Sequence, residues 1–282
     1  MTKNYLSIYA KSFSWAGFFL PQKIYKKCSV LYDFCRSLDN IADQDLDLNI
    51  KIKQFNEFKG KFLNKNTNDQ IINHMQKLIE SSQISEKIVY DLFDGVESDL
   101  KKEVKIKTKK ELLIYSYRVA GTVGLMMAKI LNVKKANSLK AAIDLGIAMQ
   151  LTNISRDVVE DSQKNRKYID SNFESIRNTL ITAETFYKSS FSSIADIPIS
   201  CRFAILVARR VYRQIGYNIL RKKNIENYNK SGKIYVSNLS KFIQTILAII
   251  DFFILFIIST KKHDKETEHQ IIGEEINLNE RI

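Results

Sequence analysis

The chain is short of residues that interrupt helices: two prolines, Pro21 and Pro198, and nine glycines in 282 residues. With long stretches of 3.6-residue hydrophobic period, that scarcity argues for an all-helical single domain. Cysteine is scarce too. Cys28, Cys35 and Cys201 form no CxxC pair and have no histidine beside them, which argues against a zinc site and against a secreted disulfide scaffold. Cys28 and Cys35 lie on one predicted helix, separated by roughly 10 Å of helical rise, too far to bridge. A reducing, cytoplasmic compartment is expected. Residues 1–20 lack an uninterrupted apolar core and a small-residue cleavage pattern, so they read as mature protein and not as a signal peptide.

Apolar residues make up 45% of the chain, enough for a full core, and exclude disorder except at the end. The net charge is +13, but residues 261–282 hold four Lys/Arg against six Asp/Glu, so the tail carries −2 and the body +15. The expected division is a catalytic domain over 1–260 and a polar, disordered tail over 261–282. A basic body suits nucleic acid, anionic lipid or a diphosphate substrate, and charge alone does not choose. Residues 101–110 hold six lysines and one glutamate without interleaved aromatics, which reads as a solvated loop and not as a nucleic-acid site.

The informative stretch is 149–168, Met-Gln-Leu-Thr-Asn-Ile-Ser-Arg-Asp-Val-Val-Glu-Asp-Ser-Gln-Lys-Asn-Arg-Lys-Tyr. At helical spacing Gln150, Asn153, Asp157 and Asp161 share one face, and Leu151, Ile154 and Val158 a neighbouring apolar one. Carboxylates at i and i+4 repel unless a cation lies between them. The pattern recurs upstream, where Arg36, Asp39 and Asp43 share a face. Two such helices lying antiparallel across a cavity would bring four carboxylates together, an oxygen-only set suited to Mg2+ and not to Zn2+. Arg36, Arg156 and Arg166 beside it suggest that the bridging group is an anion, a phosphate above all.

Other segments are plainer. Residues 43–49 resemble the start of a calcium loop, but Leu48 stands where glycine is required and Gln54 where glutamate is required, so a helix end with solvated acids is expected. A helix over 22–43, with Pro21 at its first turn, is expected, followed by amphipathic helices with Ile52, Phe55, Phe58 and Phe62 in the core. The acids Asp91, Asp94 and Glu97 read as helix-solvating, with a metal ladder as the alternative. Within 112–131, Ala120, Gly121 and Gly124 imply close approach of a neighbouring helix or a long ligand, since glycine there costs up to about 1 kcal/mol. Residues 240–259 form a very apolar helix interrupted by Gln244 and Asp251, expected to be partly core and partly membrane-facing, with a true span as the alternative.

These motifs resemble the squalene/phytoene synthase family over nearly the whole chain. Cys35 to Asp43 is similar to its Cys-Arg-x-x-Asp-x-x-x-Asp, Gln150 to Asp161 to its Gln-x-x-Asn-x-x-Arg-Asp-x-x-Glu-Asp, and Tyr115 to Met127 to its Tyr-Cys-x-x-Val-Ala-Gly-x-Val-Gly segment, with Ser116 for the cysteine. Lys11-Ser-Phe-Ser resembles the opening substrate-contact stretch. Asn40, Asn165 and Asp170 depart from the family's usual aspartate, glycine and proline.

The resemblance implies an isoprenoid-synthase-type helical bundle with a central cavity for two prenyl diphosphates. It assigns Asp39, Asp43, Asp157 and Asp161 to Mg2+, with Mn2+ as a substitute. Lys11, Ser12, Arg36, Gln150, Asn153, Arg166 and Tyr228 fall to diphosphate, and Tyr115, Arg36 and Arg166 to catalysis. Residues 123–127 and 156–161 look most like bacterial phytoene synthases, which join two C20 geranylgeranyl diphosphates without NADPH in carotenoid biosynthesis. C15-using squalene, dehydrosqualene or hydroxysqualene synthases are the alternative, and a basic helical membrane-binding module without catalysis is the non-enzyme alternative. Peripheral membrane contact is expected, nucleic acid is not, and oligomeric state is left open.

Overall fold

Short polar side chains start six of the described helices. Asp47, Asp69, Thr108, Asn172, Asn224 and Ser237 each accept a hydrogen bond from a first-turn backbone N–H, and Thr108 completes a capping box with Glu111. The computed structural model describes residues 11–258, 263 and 267–282. In order they form α1 (Lys11–Gly17), α2 (Gln22–Asp43), α3 (Leu48–Leu63), α4 (Gln70–Ser82) and α5 (Glu86–Glu97). Strand β1 (Val104–Lys105), α6 (Lys109–Ser116), a π turn (Tyr117–Gly121), α7 (Thr122–Ile130), α8 (Ala136–Arg156) and α9 (Val158–Gln163) follow. The chain then runs through β2 (Arg166–Lys167), α10 (Phe173–Phe191), α11 (Ile199–Leu220), α12 (Ile225–Lys230), α13 (Asn238–Ile257) and α14 (Thr267–Glu275). The two short strands pair in parallel, Val104 with Arg166, which fastens the loop after α9 to the lysine-rich segment.

Helix α8 is the axis of the bundle, packed on α7, α10, α11 and the π turn. Its contact with α7 is backbone to backbone: a Cβ on Gly124 would stand 2.2 Å from the Ala142 carbonyl oxygen, and one on Gly146 2.2 Å from that of Ala120. The helix-forming cost of these glycines therefore goes to close packing of a neighbouring helix, the first of the two readings of that stretch. A second layer is aromatic, with Phe34, Phe55, Phe58, Phe62 and Phe93 joining α2, α3 and α5.

Two C-terminal elements bear on expectation. Residues 267–282 are not disordered: Ile272 and Ile276 are buried, Lys109 pairs with Glu268 at 2.6 Å, and the Arg281 guanidinium donates to both oxygens of Asp91 at 3.0 and 3.1 Å. The acidic tail is the partner of part of the basic body, and Asp91, which also accepts from Tyr117 at 2.8 Å, anchors it in place of a metal ladder. Helix α13 packs through Ala248, Asp251 and Leu255 and exposes Phe242, Ile246, Ile250, Phe253 and Ile257. Its two polar interruptions both face α11. Asp251 accepts two hydrogen bonds of 2.6 Å from Arg210, and Gln244 donates to Gln214 at 3.0 Å. By length and composition this helix could cross a bilayer, and 22% of its apolar window is buried in the bundle.

Candidate active site

One wall of the site is the C-terminal half of α2, where Arg36, Asp39 and Asp43 follow one another along the helix. Arg166 closes on it from β2, donating Nη1 to Asp43 at 2.7 Å and Nη2 to the Ala42 carbonyl at 3.0 Å. Lys164 lies 3.5 Å from the same carboxylate. Arg166 is placed by Asn165, whose φ of +56° is the left-handed conformation that glycine favours and asparagine tolerates. The departure from the family's glycine therefore keeps the turn.

The other wall is the end of α8. The expected ladder is not one unbroken helix: α8 stops at Arg156, and Asp157 takes φ −105°, ψ 14° before α9 resumes. The cause is local. Tyr228 donates its hydroxyl to the Ser155 and Arg156 carbonyls at 3.0 and 2.8 Å, satisfying two acceptors that a continuing helix would use, and Arg156 grips the Asp157 carboxylate through Nε and Nη2 at 2.8 and 2.5 Å. The amide of Asp157 still bonds Asn153 and that of Asp161 still bonds Asp157, so the four polar residues keep a common side. Tyr228, expected to touch diphosphate, instead caps backbone in the described structure. Lys233, which the sequence did not single out, lies 3.3 Å from Asp157 and 2.5 Å from Glu160.

Between the walls sits Asp99, also missed from sequence. Its two oxygens accept hydrogen bonds from Tyr115 (2.8 Å) and Tyr168 (2.7 Å), whose hydroxyls are 3.0 Å apart and whose rings stack at 4.7 Å. It is an electrostatic neighbour of Asp39, Asp161 and Arg166 alike, which locates it at the junction of the two motifs. Its only signal in the sequence is an acid just beyond a helix end, outside any periodic face. Burial raises the Asp99 carboxyl and pushes the Tyr115 phenol well up, so the tyrosine keeps its proton.

An apolar cavity opens beside these walls, bounded by Leu31, Val123, Met127, Leu145 and Ala208, with Asp39, Gln150 and Asn153 at its polar end. The remaining acids and Arg166 lie at or beyond that end, with Asp161, Arg166 and Tyr168 bordering a smaller polar pocket. Lys11 and Ser12 belong to α1, but their side chains lie outside the described residues.

The donor set fits a hard divalent cation. Burial, and then the neighbouring Asp43, raises Asp39 to about 7, and burial followed by Asp157 raises Asp161 to about 7. Both carry an electrostatic debt that a cation would relieve. The Oδ1 of Asn153, buried at the polar end of the cavity, has no hydrogen-bond partner. All of these donors are oxygens.

Comparison with known proteins agrees with this construction. The chain is 27% identical over 247 residues to the 15-cis-phytoene synthase of Enterobacter agglomerans, covering 76% of this chain and 83% of that one. It is 28% identical over 260 residues to the 4,4'-diapophytoene synthase of Staphylococcus haemolyticus, covering 83% and 90%. Among solved structures, a dehydrosqualene synthase in complex with ligand superposes with a TM-score of 0.74 at 27% identity, over 87% of this chain and 93% of that one. The family model described as squalene/phytoene synthase matches residues 6–173. With both carboxylate motifs inside that match, and the bundle around them shared, the chain belongs to the squalene/phytoene synthase family.

Proposed function

We propose that the protein condenses two geranylgeranyl diphosphates head to head to phytoene, through a cyclopropyl diphosphate, in a Mg2+-dependent reaction that needs no NADPH. The observation that carries the enzymatic reading is the pairing of two aspartate motifs around Asp99 and Arg166 at the mouth of an apolar cavity. Asp39, Asp43, Asp157 and Asp161 would hold Mg2+, or Mn2+ in its place, and that metal supplies positive charge to a departing diphosphate.

The chain's own residues supply the rest. Arg166, held by Asp43 and the Ala42 carbonyl, and Arg36 offer guanidinium donors to diphosphate oxygens, and Gln150 and Asn153 offer amide donors at the end of the cavity. The apolar walls keep water from an allylic cation while the new carbon–carbon bonds form. Tyr115 and Tyr168, held protonated on Asp99, fix the floor between the two diphosphates by hydrogen bonds and shape.

The relatives favour two chain lengths. The C20 reading is supported by the phytoene synthase relatives and by the resemblance of residues 123–127 and 156–161; the C15 reading, by the diapophytoene synthase and dehydrosqualene synthase. Incubation of the purified chain with Mg2+ and each diphosphate in turn, without NADPH, followed by mass analysis of the extracted hydrocarbon, separates them. A C40 product from the C20 donor is expected. C30 product from farnesyl diphosphate alone moves the protein to the C15 branch, and no product from either overturns the enzymatic reading.

The exposed apolar face of α13 is part of the same proposal. It suits a lipid surface, from which a cytoplasmic enzyme would take prenyl substrates and to which it would return a hydrocarbon. Flotation with liposomes is expected to recover the wild type and to lose Phe253→Glu/Ile257→Glu; equal recovery of both removes α13 as the contact.

A further inference from the structure

A second cluster of ligating groups lies away from the aspartate motifs. Asp144 stands in the middle of α8, and the C-terminal segment brings His263 and His269 onto it. Their Nε2 atoms lie 3.0 and 2.9 Å from the same Asp144 oxygen, and the ligating atoms of all three lie within 4.8 Å of one another. The site is built and nearly dry: the three side chains are 2%, 11% and 7% exposed.

Two details go beyond a hydrogen-bonded pair. Ser189 on α10 also donates to that Asp144 oxygen, at 2.5 Å. One hydroxyl and two ring nitrogens, the nitrogens donating or accepting according to tautomer, therefore converge on an oxygen with about two lone-pair positions. Donor atoms about 2.0–2.1 Å from a tetrahedral metal sit roughly 3.3 Å from each other; the two nitrogen–oxygen separations here are 3.0 and 2.9 Å, and the nitrogen–nitrogen one lies within 4.8 Å. A ligating carboxylate held by a hydroxyl is the outer support that metal sites use, and the Phe186 ring, edge-on at 5.2 Å, adds an apolar wall beside His269.

We infer that Asp144, His263 and His269 form a divalent-metal site of the Zn2+ class, distinct from the aspartate motifs, that clamps the C-terminal segment onto α8. Two imidazoles and one carboxylate are a borderline nitrogen and oxygen set. Such a set selects Zn2+ or Co2+, whereas the all-oxygen motifs select Mg2+. The scarcity of cysteine argued against zinc. It excludes only thiolate sites, and histidines six residues apart in an acidic tail carry no sign of the aspartate 119 residues upstream that completes the set.

The test uses the full chain, stripped with chelator and then saturated with excess Mg2+ so that the oxygen sites are filled. Titration with Zn2+, followed by metal analysis after gel filtration, is expected to give one equivalent per chain in the wild type and in His74→Ala, which alters the remaining, exposed histidine. In His263→Ala and His269→Ala binding should weaken roughly 100-fold or more. Co2+ should give intense visible absorption of a four-coordinate nitrogen-ligated ion in the wild type, absent from both variants. Circular dichroism of the metal-free variants controls for folding, and His269→Gln provides a second, less disruptive test. No Zn2+ retained by the wild type in excess Mg2+, or an unchanged equivalent in the histidine variants, overturns the proposal and leaves a hydrogen-bonded contact.

Discussion

The two aspartate motifs are alike in spacing and unlike in construction. Asp39 and Asp43 sit on one continuous helix, whereas Asp157 and Asp161 straddle a break where Tyr228 takes over two carbonyls. Yet the division of roles within each is the same. One carboxylate is tied to cations of the protein: Asp43 to Arg166 and Lys164, Asp157 to Arg156 and Lys233. The other, Asp39 or Asp161, faces neighbouring acids at the site, partly desolvated, and is driven to about 7. A repeated sequence pattern thus yields one anchored and one uncompensated acid per wall. Local geometry can differ while the electrostatics converge.

The comparison breaks most sharply at the uncompensated pair. Asp39→Asn or Asp161→Asn is expected to lower kcat/KM by about 10³-fold with either prenyl diphosphate, the loss seen when preorganised charge is removed from a reacting leaving group. Activity within tenfold of wild type for either variant would mean that the walls do not act together. Arg166→Lys comes next. It gives up the two-pronged contact to Asp43 and the Ala42 carbonyl, and a loss of roughly 10- to 100-fold in steady-state assays should follow, mostly in kcat.

The same pair sets a pH dependence. A carboxyl raised from 3.8 to about 7 in the fold binds protons more readily than in the unfolded chain. Its stabilising contribution is therefore present below pH 4 and is lost as pH rises from 4 through 7. Without metal, the Tm difference between Asp39→Asn and wild type should grow in the variant's favour across that window. Added Mg2+ should raise the wild-type Tm more at pH 8 than at pH 5. A pH-independent difference would contradict the raised Asp39 carboxyl. The smallest effect is reserved for the turn. Asn165→Gly, at φ +56°, should change stability by no more than about 1 kcal/mol and leave kcat intact, whereas Asn165→Val should cost about 1–2 kcal/mol in denaturant unfolding.

Helix content, the span 22–43 and both carboxylate motifs were legible because they rest on short-range periodicity and on few breakers. The helix break was not, since residues 153–161 contain neither glycine nor proline and the agent, Tyr228, lies 72 residues beyond the Arg156 carbonyl it caps. Asp99 was invisible for a related reason. It gains meaning only when Tyr115 and Tyr168, from two further segments, close on it. The tail was read as disordered from its polarity. Its order comes from single long-range contacts, Arg281 to Asp91 across 190 residues above all, that composition does not register.

The ion pair between Asp251 and Arg210 gives α13 a mechanical meaning. The helix has the length and hydropathy of a bilayer span, but leaving the bundle would strand Asp251 in hydrocarbon without its counter-charge, a cost of about 2.5–3.5 kcal/mol at the membrane centre. That bond works as a mooring: it ties the helix to α11 while leaving its oily flank facing outward.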